Sequence, residues 1–135
     1  MRLDTFMEST NTVAAIVSDL MFTVRIQDAA NHAGVGVMFL NSAEDALQRA
    51  KEGVGLIIID LNGSSFDPLE TVARLKSDDE TSGVEVVGYV SHVQTELIQA
   101  ARKAGCDTVM ARSAFVQKLP EMLARLTESS SNPAD

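Results

Sequence analysis

Five short apolar runs recur along the chain, and a helical pattern follows each of them. The runs are "TVAAIVSD" (12–19), "VGVMFLNS" (35–42), "VGLIIID" (54–60), "VEVVGYVS" (84–91) and the weaker "CDTVMARS" (106–113). Runs so apolar carry no polar face, so both faces of the sheet they form must be covered. Strand–helix alternation supplies that cover, and right-handed crossovers restrict how it winds. The expectation is an α/β fold: a doubly wound, five-stranded parallel sheet sandwiched by helices, of the flavodoxin-like type. Such sheets bind ligands outside the carboxyl ends of their strands, where the strand order reverses.

The helices announce their ends. In "FTVRIQDAANHAG", Phe22, Ile26, Ala29 and Ala33 recur at helical spacing. Ser42 caps the second helix with Asp45 three residues on, and Gly53 stops it. Asp67, Pro68 and Glu70 give the third an N-cap, a first-turn proline and a capping box. "TSG" (81–83) turns the chain into the fourth strand, and "SHVQTELIQAARKAG" is a fourth helix ending at Gly105. Pro120 falls inside "AFVQKLPEMLARL", which predicts a turn over 114–119 and a helix opening at Pro120. The polar "ESSSNPAD" reads as a disordered tail. The chain divides into an N-terminal extension (1–11), one domain (12–127) and that tail (128–135).

Composition narrows function. With 135 residues and 45% hydrophobic content, one domain with a sizeable core is expected. A formal charge of -8 repels phosphate backbones and anionic lipid, so neither nucleic acid nor membrane is an expected partner. The single cysteine, Cys106, cannot form an intramolecular disulfide, and "MRLDTFMEST" has no apolar leader, which together point to the cytoplasm. A flavin carrier on this architecture needs a Ser/Thr/Gly-rich phosphate loop after the first strand, and "SDLMFTVR" contains no glycine.

The residues closing the strands are therefore the candidates: Ser18 and Asp19, Asp60 and Asn62, Ser91 and His92, Arg112 and Ser113. Two carboxylates and a carbonyl make half of a magnesium shell. A hydroxyl and a cation beside them can hold phosphoryl oxygens. Each has a plainer reading. Asp60 can simply end its strand, and Asp19 can simply cap the first helix. Ser91 can form a capping box with Gln94, and Arg112 can be the structural partner of Asp60. His32 and His92 suit surface or loop roles, and Cys106 suits a small buried hydrophobe. Met21, Met38, Met110 and Met122 suit core positions, and "KSDDE" suits a solvated helix end.

These strand-end positions, with the "AG" seven residues before Arg112, resemble the receiver domain of two-component response regulators over 12–127. The resemblance implies receiver topology and a phosphoacceptor at Asp60. It implies magnesium held by Asp19, Asp60 and the Asn62 carbonyl, with Ser91 as the switch hydroxyl and Arg112 in place of lysine. Asp67 matches the acid usual before the third helix. It implies a histidine kinase or phosphotransfer protein as donor. A downstream protein on the helix-four, strand-five, helix-five face, or a homodimer, would read the output. It implies no enzyme beyond assistance to its own phosphorylation and dephosphorylation.

Several positions depart from the family pattern. Ser18 replaces the first acid of the pair, Ser113 and Ser64 replace prolines, His92 replaces a small residue, and Val109 replaces the aromatic switch residue. Two carboxylates against one guanidinium leave the site one unit less negative than three acids and one lysine, so magnesium should be weak or absent. Arg112 can fork onto Asp60 or Asp19 as lysine cannot. The chain is then either a phosphorylated receiver or a degenerate pseudo-receiver that binds partners without phosphorylation.

Overall fold

A computed structural model describes residues 11–92 and 94–130. The elements alternate as β1 (Thr12–Ile16), α1 (Leu20–Ala33), β2 (Gly36–Leu40), α2 (Ala43–Glu52), β3 (Leu56–Asp60), α3 (Pro68–Ser77), β4 (Val86–Val90), α4 (Thr95–Ala104), β5 (Thr108–Ala111) and α5 (Arg112–Ser130). All pairings are parallel, in the order β2-β1-β3-β4-β5. This is the doubly wound sheet expected from the sequence, with its order reversing between β1 and β3.

Strand alternation sorts the core into two layers. Ala14, Ile16, Ile57, Ile59, Val86 and Val90 face one way, against Ala46 and Ala50 of α2, Val72 and Leu75 of α3 and Ala101 of α4. Val13, Ala15, Leu56, Ile58, Val87 and Tyr89 face the other way, against α1 and α5. All five residues of β3 and of β4 are buried, which is why those runs read as apolar throughout. Gly88 is needed on the first face: a Cβ there would lie 2.8 Å from Leu61 Cδ1 and 3.2 Å from Cys106 Sγ.

The caps follow the sequence closely. Ser42 Oγ accepts from the Asp45 amide (3.1 Å), and Asp67 Oδ1 accepts from the Glu70 amide (3.1 Å) with Pro68 in the first turn. Gly34 and Gly105 end α1 and α4 at φ 76° and 112°, a region that disfavours other residues.

The last helix differs from expectation. It begins at Arg112, directly after β5, and runs through Pro120 to Ser130, three residues into the segment expected to be a tail; residues 131–135 lie outside the described residues. The proline costs about 3 kcal/mol in a helix interior. Phe115, Leu119, Met122 and Leu123 form one buried stripe across it, each worth about 1.5–3 kcal/mol of burial. Packing therefore outweighs the break, and the Pro120 ring itself is exposed.

Two smaller expectations also fail. Met21 is 77% exposed instead of core, whereas Met122 is buried and Met38 and Met110 are partly buried. Lys76, expected on a solvated helix end, is largely buried. Its Nζ donates to the carbonyls of Val84 (2.8 Å) and Ser82 (3.2 Å) and pairs with Asp107 Oδ2 at 2.7 Å. Asp107 Oδ2 also accepts from the Val86 amide (2.8 Å), so the pair fastens α3 to the start of β4.

Candidate functional site

Asp60 is the last residue of β3 and only 4% exposed. Its Oδ1 accepts from the Asn62 amide (2.9 Å), and its carbonyl accepts from the Gly63 amide (3.1 Å), so the chain turns immediately above it. Gly63 permits that turn: a Cβ there would stand 3.2 Å from the Asp60 carbonyl and run into the Phe66 ring. The apolar run of β3 thus ends by holding a carboxylate inside the rim of the sheet, next to the strand reversal.

Asn62 joins two loops. Its Oδ1 accepts from the Ser91 amide (2.8 Å), and its Nδ2 donates to Gln94 Oε1 (2.9 Å). The sequence offered only the Asn62 carbonyl as a candidate; its side chain does the joining. Ser91 does not cap α4. That helix starts at Thr95, Gln94 occupies the N-cap position without a side-chain bond to the helix, and Ser91 is exposed at the end of β4.

Asp19 caps α1, its Oδ1 accepting from the amides of Met21 (2.8 Å) and Phe22 (3.4 Å). Its Oδ2 lies 3.6 Å from Arg112 Nη1. Arg112 therefore pairs with Asp19 through one contact. The fork onto Asp60 is not formed: the guanidinium instead lies over rings, with Cζ 5.0 Å from the Phe22 centroid and 5.9 Å from that of Tyr89. A cation in the first turn of a helix opposes the helix dipole. Asp19 and the two ring faces offset that penalty. The ion pair is about one-third exposed on each side, which limits it to roughly 1 kcal/mol or less.

Tyr89 was not a sequence candidate, being one more apolar-looking residue of a buried strand. It is fully buried, sits opposite Asp60 in the parallel register, and packs between Phe22 (4.7 Å) and Phe115 (5.0 Å). Burial pushes its hydroxyl well above the usual tyrosine range; the Asp60 charge pushes the same way, Arg112 opposes it, and Asp19 adds to the rise. Arg112 lies 3.6 Å from Asp19, and Ser91 is bonded to Asn62, two residues after Asp60, so these residues gather at the carboxyl end of the parallel sheet. Beside the rim lies a cleft of about 780 Å³ lined by Asp19, Phe22, Arg25, Ser91, His92 and Arg112 among others. Val109 is buried against the α2–α4 layer.

Asp19 already spends one oxygen on the α1 amides and turns the other to Arg112, and Ser18 supplies no carboxylate. Among the described residues no group of three His, Cys, Asp or Glu side chains could hold a metal.

With its parallel sheet in the order 2-1-3-4-5, the chain has the fold of response-regulator receiver domains. The chemotaxis regulator CheY4 of Vibrio cholerae is 17% identical, with a TM-score of 0.71 over 85% of this chain and 97% of that one. The phosphorylated cyanobacterial phytochrome regulator RcpA is 19% identical, with a TM-score of 0.70 over 92% and 96%. The Mn(2+)-bound regulator Rcp1 is 13% identical, with a TM-score of 0.68 over the same shares. No protein-family model and no curated protein matches the sequence. Among the described residues no helix is long and apolar enough to cross a membrane.

Proposed function

We propose that residues 12–127 act as a receiver-type signalling domain in the cytoplasm, with Asp60 as the phosphoryl acceptor. The observation carrying this reading is the buried Asp60 carboxylate at the strand reversal, with Ser91 tied above it through Asn62 and Arg112 on the same rim. A carboxylate oxygen of Asp60 attacks the phosphorus of a phosphohistidine on a histidine kinase or phosphotransfer protein. The P–N bond breaks, its electrons pass to the imidazole nitrogen, and Asp60 becomes an acyl phosphate. Arg112 balances the added negative charge, and the Ser91 hydroxyl donates to a phosphoryl oxygen.

Turning Ser91 toward that group disturbs its amide bond to Asn62 and, through Gln94, the start of α4. The α4-β5-α5 face then shifts between two populations that a downstream protein distinguishes. With Val109 in place of an aromatic, no aromatic rotamer carries the signal. The test is intact mass after incubation with acetyl phosphate and millimolar Mg²⁺. One added phosphoryl group in the wild type and none in Asp60→Asn is expected; addition that persists in Asp60→Asn refutes the assignment.

A second reading is favoured by the Arg112–Asp19 pair, which occupies the acid a metal would use. Here the chain is a pseudo-receiver that binds partners constitutively. It expects no rise in Tm with millimolar Mg²⁺; a clear dose-dependent rise counts against it.

A further inference from the structure

Two buried side-chain atoms among the described residues lack a hydrogen-bond partner: the hydroxyl of Tyr89, the strand neighbour of Asp60, and Nε of Arg112, whose guanidinium lies over the Tyr89 ring. An unpaired buried hydroxyl costs about 1–3 kcal/mol, so a phenylalanine would serve β4 better if packing were the only demand. The ring's contacts with Phe22 and Phe115 need no oxygen. An unpaired buried polar group in a native fold calls for an explanation, and a role at a reacting site is one.

The rim is short of positive charge for a phosphoryl group. Arg112 is half committed to Asp19, Arg25 lines the cleft beside it, and the acids that would recruit a metal are reduced by Ser18. An acyl phosphate on Asp60 brings oxygens that need donors. Tyr89 is the β4 partner of Asp60 in register, and adjacent partners in a parallel sheet present their side chains on the same face. A tyrosine hydroxyl stays protonated, and hence a donor, at physiological pH.

We propose that Tyr89 is a positioning residue for the phosphorylated state, its hydroxyl donating to a phosphoryl oxygen on Asp60 while Arg112 Nε, beside it, donates to the same group. This rests on phosphorylation of Asp60. It adds a neutral hydrogen-bond donor from inside the sheet to the phosphoryl oxygens.

The composition supplies a direct probe. The chain has one tyrosine and no tryptophan, so its tyrosine emission reports Tyr89 alone. Acetyl phosphate is added while intact mass and emission are recorded on the same sample. Emission is expected to change in proportion to the phosphorylated fraction, and to stay constant in Asp60→Asn. Tyr89→Phe is expected to keep or raise the resting Tm while its phosphorylation rate falls roughly ten-fold or more, the scale of one lost bond to a charged group. A purely structural tyrosine leaves the rate unchanged. Phosphate uptake with constant emission, or with an unchanged rate in a folded Tyr89→Phe, overturns this assignment and leaves Asp60 as acceptor. No uptake by the wild type defeats the underlying reading, and the Tyr89 role with it.

Discussion

Replacing Asn62 by alanine isolates the link between the acid-bearing loop and α4. The substitution keeps the backbone carbonyl and the amide that donates to Asp60, and deletes only the bonds to the Ser91 amide and Gln94 Oε1. Both lie at the surface, so each contributes toward the lower part of the usual range, and the pair sums to about 1–2 kcal/mol. In a domain of this size that lowers Tm by roughly 3–8 °C. The Ser91 amide, no longer bonded, should exchange faster, and protection should fall over 91–98 while α1 and α2 stay unchanged. Hydrogen exchange followed by mass spectrometry reads both regions at once. Unchanged protection at 91–98 with an unchanged Tm would falsify the claim that Asn62 couples the two loops. A uniform loss over the whole chain would show instead that Asn62 acts only through global stability.

Further outcomes follow from the same structure. Pro120→Ala should stabilise the domain by about 1–3 kcal/mol in urea unfolding, because it restores a bond inside a continuous α5; destabilisation would mean the helix breaks there. Asp107→Asn should cost about 1–2 kcal/mol by leaving the largely buried Lys76 with carbonyl partners alone; a neutral result would show that the carbonyls suffice. Burial pushes the Cys106 thiol up to about 11, so a thiol reagent at pH 8 should label it only as fast as the protein opens, and immediate stoichiometric labelling contradicts this. Because that value is raised, the neutral thiol's contribution to stability is complete below its ordinary 9.0 and is lost as pH rises through about 11.

The sheet and helices were legible because each announcement is local. "LIIID" is apolar on both faces, and Ser42, Asp67 and Gly105 mark helix ends by chemistry confined to a few residues. The strand-end candidates followed from topology alone, since parallel strands all deliver their last residues to one side. What stayed hidden depends on contacts distant in sequence. Arg112 meets Asp19 and two rings instead of Asp60, a choice set by where α5 starts, and Pro120 obscured that start. Asn62 reaches 29 residues on to Ser91, and no pattern in either loop signals it. Tyr89 looks like filler in an apolar strand until its register against Asp60 is known. Lys76 reads as solvated among "KSDDE" because its acceptors lie in the next turn and on β5's approach.

The most direct test is to locate the phosphoryl group. After treatment with acetyl phosphate, borohydride reduction converts an acyl-phosphate aspartate to homoserine, and peptide mapping then identifies the residue. The account predicts conversion at Asp60 within the peptide carrying "LIIIDLN"; conversion at Asp19 or another acid, or at none, contradicts it.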